Sequence, residues 1–376
     1  MTDPRQTFVF AFEDQYAVAP KNGIWLLPPP GSYFTSSHSR DAERVNEVGR
    51  KKWADINYGK VTGTWEWAFY LDYNFLEPFL AVFEDYSKSS YEYDENGNTW
   101  DSYAVHTFKK SEDGTVPSFT VKRKQLNRVV GGDYDEESYL YGCVCTTMKM
   151  SQQAGTSVTQ VRMSGIYSYD EISKDKILES LDRVDGRTYN FVEYTCAYAD
   201  GSDDAWGIVN NWAIQVGNSV RGIYGICNPY ARSYYEGQTS NVFSMTVLSN
   251  SPDILRRRVL TGGQSGSDTG PRWQGAAPMG QINLRSTKDK TVNINGTEYT
   301  LQLSMDIEIT DCVVNAMSWG SGEDKIMDQL SGGKSQDIWI QFVNEFPYDY
   351  RSVGSVVSDG STPEIWGQHR ITEGKE

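Results

Sequence analysis

Three histidines, five cysteines and a few knots of carboxylates are the groups in this chain with chemical reach. His38 lies in a polar stretch, His106 in an alternating one and His369 near the C-terminal end. None stands in a Gly-x-Ser-x-Gly elbow or a His-Glu-x-x-His helix, so neither a nucleophilic triad nor a histidine metal centre is expected. Gly332-Gly333-Lys334-Ser335 has the ending of a phosphate-binding loop, but the first glycine that such a loop requires is absent. A strand-connecting turn is the reading of that segment. Asp133, Asp135, Glu136 and Glu137 could be taken for a glycosidase pair, yet such a pair needs one carboxyl desolvated in a cleft at a fixed separation. A turn tip crowded with like charges offers neither, and it lacks the twelve-residue calcium pattern ending in Glu. Cys143 and Cys145 alternate with Val144 and so share one sheet face, which excludes a CxxC redox or zinc pair and makes the thiols buried and structural. Asn295-Gly296-Thr297 reads as a turn. Lys122-Arg123-Lys124 and Arg256-Arg257-Arg258 read as solvated faces or subunit salt bridges. The chain is expected to be no enzyme, with no cofactor and no metal.

The elements around these groups are strands. At 376 residues the chain has room for two ordinary cores, and 38% hydrophobic with 23% charged residues describes a globular protein. A net charge of −15 excludes a protein that holds nucleic acid by neutralising phosphates, but suits a surface past which nucleic acid slides. Eleven Trp, 24 Tyr and 34 Gly point to a β-rich protein with many turns. No apolar run is long enough to span a bilayer. The opening MTDPRQTFVFAFEDQYAV is polar and acidic and reads as no Sec signal, so synthesis in a cytoplasm is expected.

Along the chain, Val61, Gly63, Trp65, Trp67 and Phe69 alternate with Thr62, Thr64, Glu66 and Ala68, a strand with one buried face. Phe75, Leu76, Phe79, Leu80 and Phe83 have helical spacing over 74–86, with Pro78 in the first turn. Segments 35–52 and 87–101 read as polar arm or loop. Asn127–Glu137 is a long acidic hairpin tip, a short helix is expected over Asp170–Val184, and Val292–Thr300 is a hairpin with an Asn-Gly turn. One pattern occurs twice. Residues 62–85 and 239–262 each run from an alternating strand into a short apolar helix. A small-residue–Cys strand follows each, at Tyr141–Cys145 and Thr310–Val314. Each half then closes on another alternating strand, at Val158–Met163 and Gln336–Phe342. The expected division is an N-terminal arm with first strands (1–60), a β unit (61–167), a connector (168–206), a second β unit (207–345) and a C-terminal arm (346–376).

In this order the chain resembles tail tube proteins of tailed viruses of bacteria or archaea. The likeness rests on VPSFTVKRK at 116–124 and YLYGCVCTTMKMSQQAGTSVTQVRMSGI at 139–166. In the second half it rests on NNWAIQVGNSVRGIYG at 210–225 and YYEGQTSNVFSMTVL at 234–248. It covers roughly residues 50–345 through short motifs.

The resemblance implies a mainly-β fold of two tandem β-sandwich or barrel domains, each with a short flanking helix, plus extended arms. It implies a virion protein that polymerises as stacked rings into the tube through which viral DNA passes without specific binding. Two tube domains per chain would make a ring of three copies with pseudo-sixfold symmetry. Partners would be other copies, tape measure, tail terminator, baseplate or tip proteins and a sheath where one exists. The long hairpins, with Val129, Asp133, Tyr134, Asp135 and Glu136 in one and Asn293, Asn295 and Glu298 in the other, would touch neighbouring rings or subunits. Thr64, Glu66, Thr146 and Lys149 would lie on lumen strands, with carboxylates and hydroxyls outnumbering lysines there. Two other readings share the patterning: a single-ring distal tail or terminator adaptor, and a carbohydrate-binding adhesion module with Trp25, Trp100, Trp206 and Trp273 lining a groove.

Overall fold

Trp65 and Trp67 are buried while Thr64 and Glu66 on the same strand face outward, the alternation a sheet with one covered face demands. The computed structural model describes residues 6–20, 25–46, 53–95, 98–111, 114–129, 132–153, 158–173, 190–192, 196–199, 207–249, 282–294, 297–310, 316–319, 327–335, 337–345 and 350. The fold is mainly β. The first half contributes β1 (Gln6–Phe12), β2 (Tyr33–Asn46), β3 (Trp53–Tyr70), β4 (Asp85–Glu95), β5 (Asn98–Lys109), β6 (Phe119–Val129), β7 (Gly132–Gln153), β8 (Gln160–Tyr167) and β9 (Tyr169–Ser173). After it come β10 (Cys196–Ala199), β11 (Gly207–Gly217), β12 (Arg221–Tyr224), β13 (Ala231–Tyr235), β14 (Ser240–Ser249) and β15 (Ile282–Ile294). The last are β16 (Thr297–Thr310), β17 (Ala316–Trp319), β18 (Met327–Ser335) and β19 (Asp337–Asn344).

One sheet follows the path β17-β18-β14-β11-β7-β8-β3-β2, and β1, β6 and β9 join it through β7. A second sheet runs β10-β15-β16-β19-β5-β4, and β12 and β13 form a separate hairpin. β7 changes partners along its length. Its residues 132–143 pair with β6, and its later residues pair with β8 and β11. Gly142, at φ 65°, marks the turnover; a Cβ there would be strained and would meet the Tyr16 ring at 2.9 Å. Both sheets run across the expected 168–206 division: β7 pairs with β11 and β5 with β19, antiparallel in each case. The strands equated by the repeat also pair differently. β8 lies between β7 and β3, whereas β19 lies between β16 and β5 and, among the described residues, not beside β14.

The core is aromatic. Phe8, Phe10, Phe34, Trp65, Trp67 and Phe119 interlock, with Phe10 and Trp67 ring centres 4.9 Å apart. Phe79, Phe108 and Phe342 continue the same cluster onto the second sheet, Phe79 standing 5.3 Å from Phe342.

Several expectations are corrected. The flanking helix over 74–86 is a single 3-10 turn, Glu77–Ala81. Every residue from Leu71 to Phe83 is buried, the polar Asp72, Asn74 and Glu77 included, so the helical spacing reflected a segment covered on all sides. Asp72 pins its start in a non-helical form by accepting from the backbone N–H groups of Asn74 (2.9 Å) and Asn190 (2.7 Å). The polar stretch 35–52 contains β2, which is held by backbone pairing with β3 and whose exposed residues Ser37–Ala42 have no core to face. Segment 87–101 belongs to the β4–β5 hairpin. The start of the helix expected over Asp170–Val184 is β9, and its remainder lies outside the described residues. Gly332–Ser335 is the end of β18, paired with β14, rather than a turn.

Candidate functional site: the open face of the shared sheet

β2, β3, β8, β7, β11 and β14 present their uncovered sides side by side. Thr64 lies opposite Ser37 of β2 and Ile166 of β8, and its hydroxyl is 2.9 Å from that of Ser37. Glu66, two residues on, lies opposite Thr35 and Ser164. Lys149 lies opposite Arg162 of β8 and Gln215 of β11. Thr64, Glu66, Arg162, Lys149 and Gln215 are all exposed. Thr146 is half-buried at the β7 bulge, where its hydroxyl donates to the Ser164 carbonyl (2.9 Å) and its carbonyl accepts from Asn218 N (2.8 Å). This face is mainly hydroxyl and amide, with Glu66 as its carboxylate and Arg162 and Lys149 as adjacent cations.

The hairpin residues fall where backbone pairing extends beyond the core. Val129 pairs with Gly132, Asp133 with Arg128, Tyr134 with Asn127, Asp135 with Leu126 and Glu136 with Gln125. Asn293 pairs with Glu298 in the β15–β16 hairpin, and Asn295 lies outside the described residues. At about 3.3 Å per residue the contour of the 22-residue β7 is about 70 Å, divided at Gly142 between the hairpin with β6 and the pairing with β8 and β11.

The residues considered for chemistry are placed as structure. His106 is buried, with Nδ1 2.9 Å from the Tyr86 hydroxyl and Nε2 3.1 Å from Asn344 Oδ1. Asn344 Nδ2 donates to the Tyr73 carbonyl (2.6 Å), so its oxygen is the acceptor for His106 Nε2–H. Cys143 and Cys145 are buried on one face as expected, and burial pushes both thiols up, Cys145 to about 12. Cys227 is exposed, against the expectation that the thiols are buried. Trp25 is buried against Val9 and Ala11 with Lys122 Nζ 4.0 Å above its ring, which removes it from any open groove; Trp206 and Trp273 lie outside the described residues. Among the described residues, no three His, Cys, Asp or Glu side chains gather as a metal set, and no helix is long and apolar enough to cross a membrane.

Two polar nodes escaped sequence reasoning. Glu13 accepts from Ala17 N (2.8 Å), Gly142 N (2.8 Å), Ser118 Oγ (2.7 Å) and Thr120 Oγ1 (2.6 Å), tying β1, β6 and β7 together. Lys110, Glu84 and Asn218 meet between the two halves. Beside them Glu236 accepts from Val116 N (2.7 Å), and burial raises its carboxyl above the usual range. Each node joins residues more than a hundred positions apart, so local pattern carries no sign of it. No protein-family model matches the chain, and no curated protein matches its sequence.

Proposed function

We propose that this chain is a structural virion protein of the tail tube kind, whose copies join into rings and whose rings stack into a conduit for DNA. The observation that carries the reading is the eight-strand path β17-β18-β14-β11-β7-β8-β3-β2, half of it from each side of the 168–206 division. Among the described residues β2 pairs only with β3, and β17 only with β18. Open edges of this kind are templates for pairing with another chain. An edge-to-edge contact between unlike edges closes into a ring when the rotation allows, and three copies would then surround a bore with six half-sheets. Most of the exposed groups named on this face are uncharged hydroxyls and amides, which suits such a bore, and the Arg162–Lys149 pair is the place on it where a passing phosphate would be held. The projecting β6–β7 and β15–β16 hairpins are the elements available to reach the next ring. In this role the protein works by assembly, as part of a tail together with other tail proteins, and not by catalysis.

Negative-stain electron microscopy of the concentrated protein tests this. Stacked rings or tubes are the expected result. Single rings that never stack would move the reading to a distal tail or terminator adaptor. A monomer at every concentration, and in native particles, would refute it.

A further inference from the structure

We propose that Lys110 and Asn218 become joined by an intramolecular amide bond, with Glu84 as the proton carrier. The end of β5 delivers Lys110, the chain after the 3-10 turn delivers Glu84, and the β11–β12 link delivers Asn218. Lys110 Nζ donates to Glu84 Oε1 (2.7 Å), to the Val82 carbonyl (2.7 Å) and to Asn218 Oδ1. The Lys110 and Glu84 side chains are 8% and 4% exposed, and Asn218 is 2% exposed. The Lys110 amine thus touches both the Glu84 carboxylate and the Asn218 carboxamide at a site shielded from solvent.

The amide is held still for attack. Asn218 N donates to the Thr146 carbonyl (2.8 Å), and Nδ2 donates to the carbonyls of Val82 (3.3 Å) and Cys145 (3.2 Å). Phe83 closes another side, its ring centre 5.8 Å from Nζ. Fixed groups in contact react with effective molarities of about 10⁵ M or more, which offsets the poor reactivity of a carboxamide.

The steps balance. Lys110 Nζ passes one proton along its hydrogen bond to Glu84. The freed lone pair forms a bond to Asn218 Cγ. Glu84 returns its proton to Nδ2 as the Cγ–Nδ2 bond breaks, ammonia leaves, and the second Nζ proton passes to Glu84 or onward to the ammonia. No oxidant or co-reactant is consumed.

Mass spectrometry of the purified full chain decides. The expected intact mass, under denaturing conditions, is one ammonia below that of the sequence. Trypsin should then fail to cut after Lys110 and release a branched peptide that joins the Lys110 and Asn218 segments. Lys110→Arg and Glu84→Gln should restore the full mass and linear peptides. An unmodified wild-type mass with only linear peptides overturns the proposal, whatever the variants do. So does loss of ammonia without a branched peptide, which would report ring closure of Asn218 onto the Ser219 backbone instead. A branched peptide persisting in Glu84→Gln overturns the part given to Glu84.

Discussion

Replacing Glu13 by Ala removes the acceptor for four donors at once: Ala17 N, Gly142 N, Ser118 Oγ and Thr120 Oγ1. Hydrogen bonds to a charged group contribute about 1.5 kcal/mol each at the low end, so the four sum to about 6 kcal/mol. Glu13 is half-buried, and water entering the space left by the side chain should recover roughly half of that. The expected destabilisation is therefore about 3 kcal/mol. Glu13→Gln sharpens the test. Oε1 serves Thr120 and Gly142, and Oε2 serves Ala17 and Ser118, so an amide keeps one oxygen and turns an NH₂ towards the other pair. Ser118 or Thr120 can reverse its hydroxyl, but a backbone N–H cannot, and one N–H loses its partner in either orientation. The loss for Gln should be about 1–3 kcal/mol. Denaturant unfolding followed by tryptophan fluorescence, compared at constant m, measures both. A Glu13→Ala midpoint indistinguishable from wild type would show that the node is ornamental and the reasoning wrong.

Gly165→Ala should abolish soluble expression or cost several kcal/mol, because a Cβ there would stand 1.9 Å from the Val144 carbonyl and 2.6 Å from the Trp65 ring; yield and melting temperature read it. Stability should fall as pH rises through and above the ordinary carboxylate range with the titration of Glu236, whose folded carboxyl holds its proton longer than the unfolded one because it is buried. Glu236→Gln keeps an acceptor for Val116 N, so its advantage over wild type should grow across that range, and a pH-independent difference would contradict the assignment. Maleimide labelling of the native protein followed by peptide mapping should mark Cys227 and spare Cys143 and Cys145, which are buried with raised thiols; labelling of all three at equal rates would mean the core is open.

The fold was legible wherever one strand face was buried and the other wet. β3 announces itself through Trp65, Trp67 and Phe69, and both long hairpins through their polar tips. β2 did not, because Ser37–Ala42 face solvent and owe their extended form to pairing with β3. The 3-10 turn was read as a helix because a segment buried on every side has no polar stripe to set its period. The interleaving of the halves was invisible for a different reason. The β7·β11 and β5·β19 pairings depend on which edges meet, and alternation within a strand says nothing of its neighbour. The open sheet face could be read at Thr64, Glu66 and Lys149, while its Arg162 neighbour became apparent only through the register.

The β5·β19 pairing bears on how the chain leaves the ribosome. Thr107 of β5 bonds to Gln341 of β19, 234 positions later. At about 5–20 residues per second, roughly 10–50 s of elongation separate the two, during which the β5 edge has no strand to cover it. Translation stalled or truncated before β19 should thus yield a sticky product, and a chaperone holding the nascent β4–β5 hairpin would have its greatest effect in that interval.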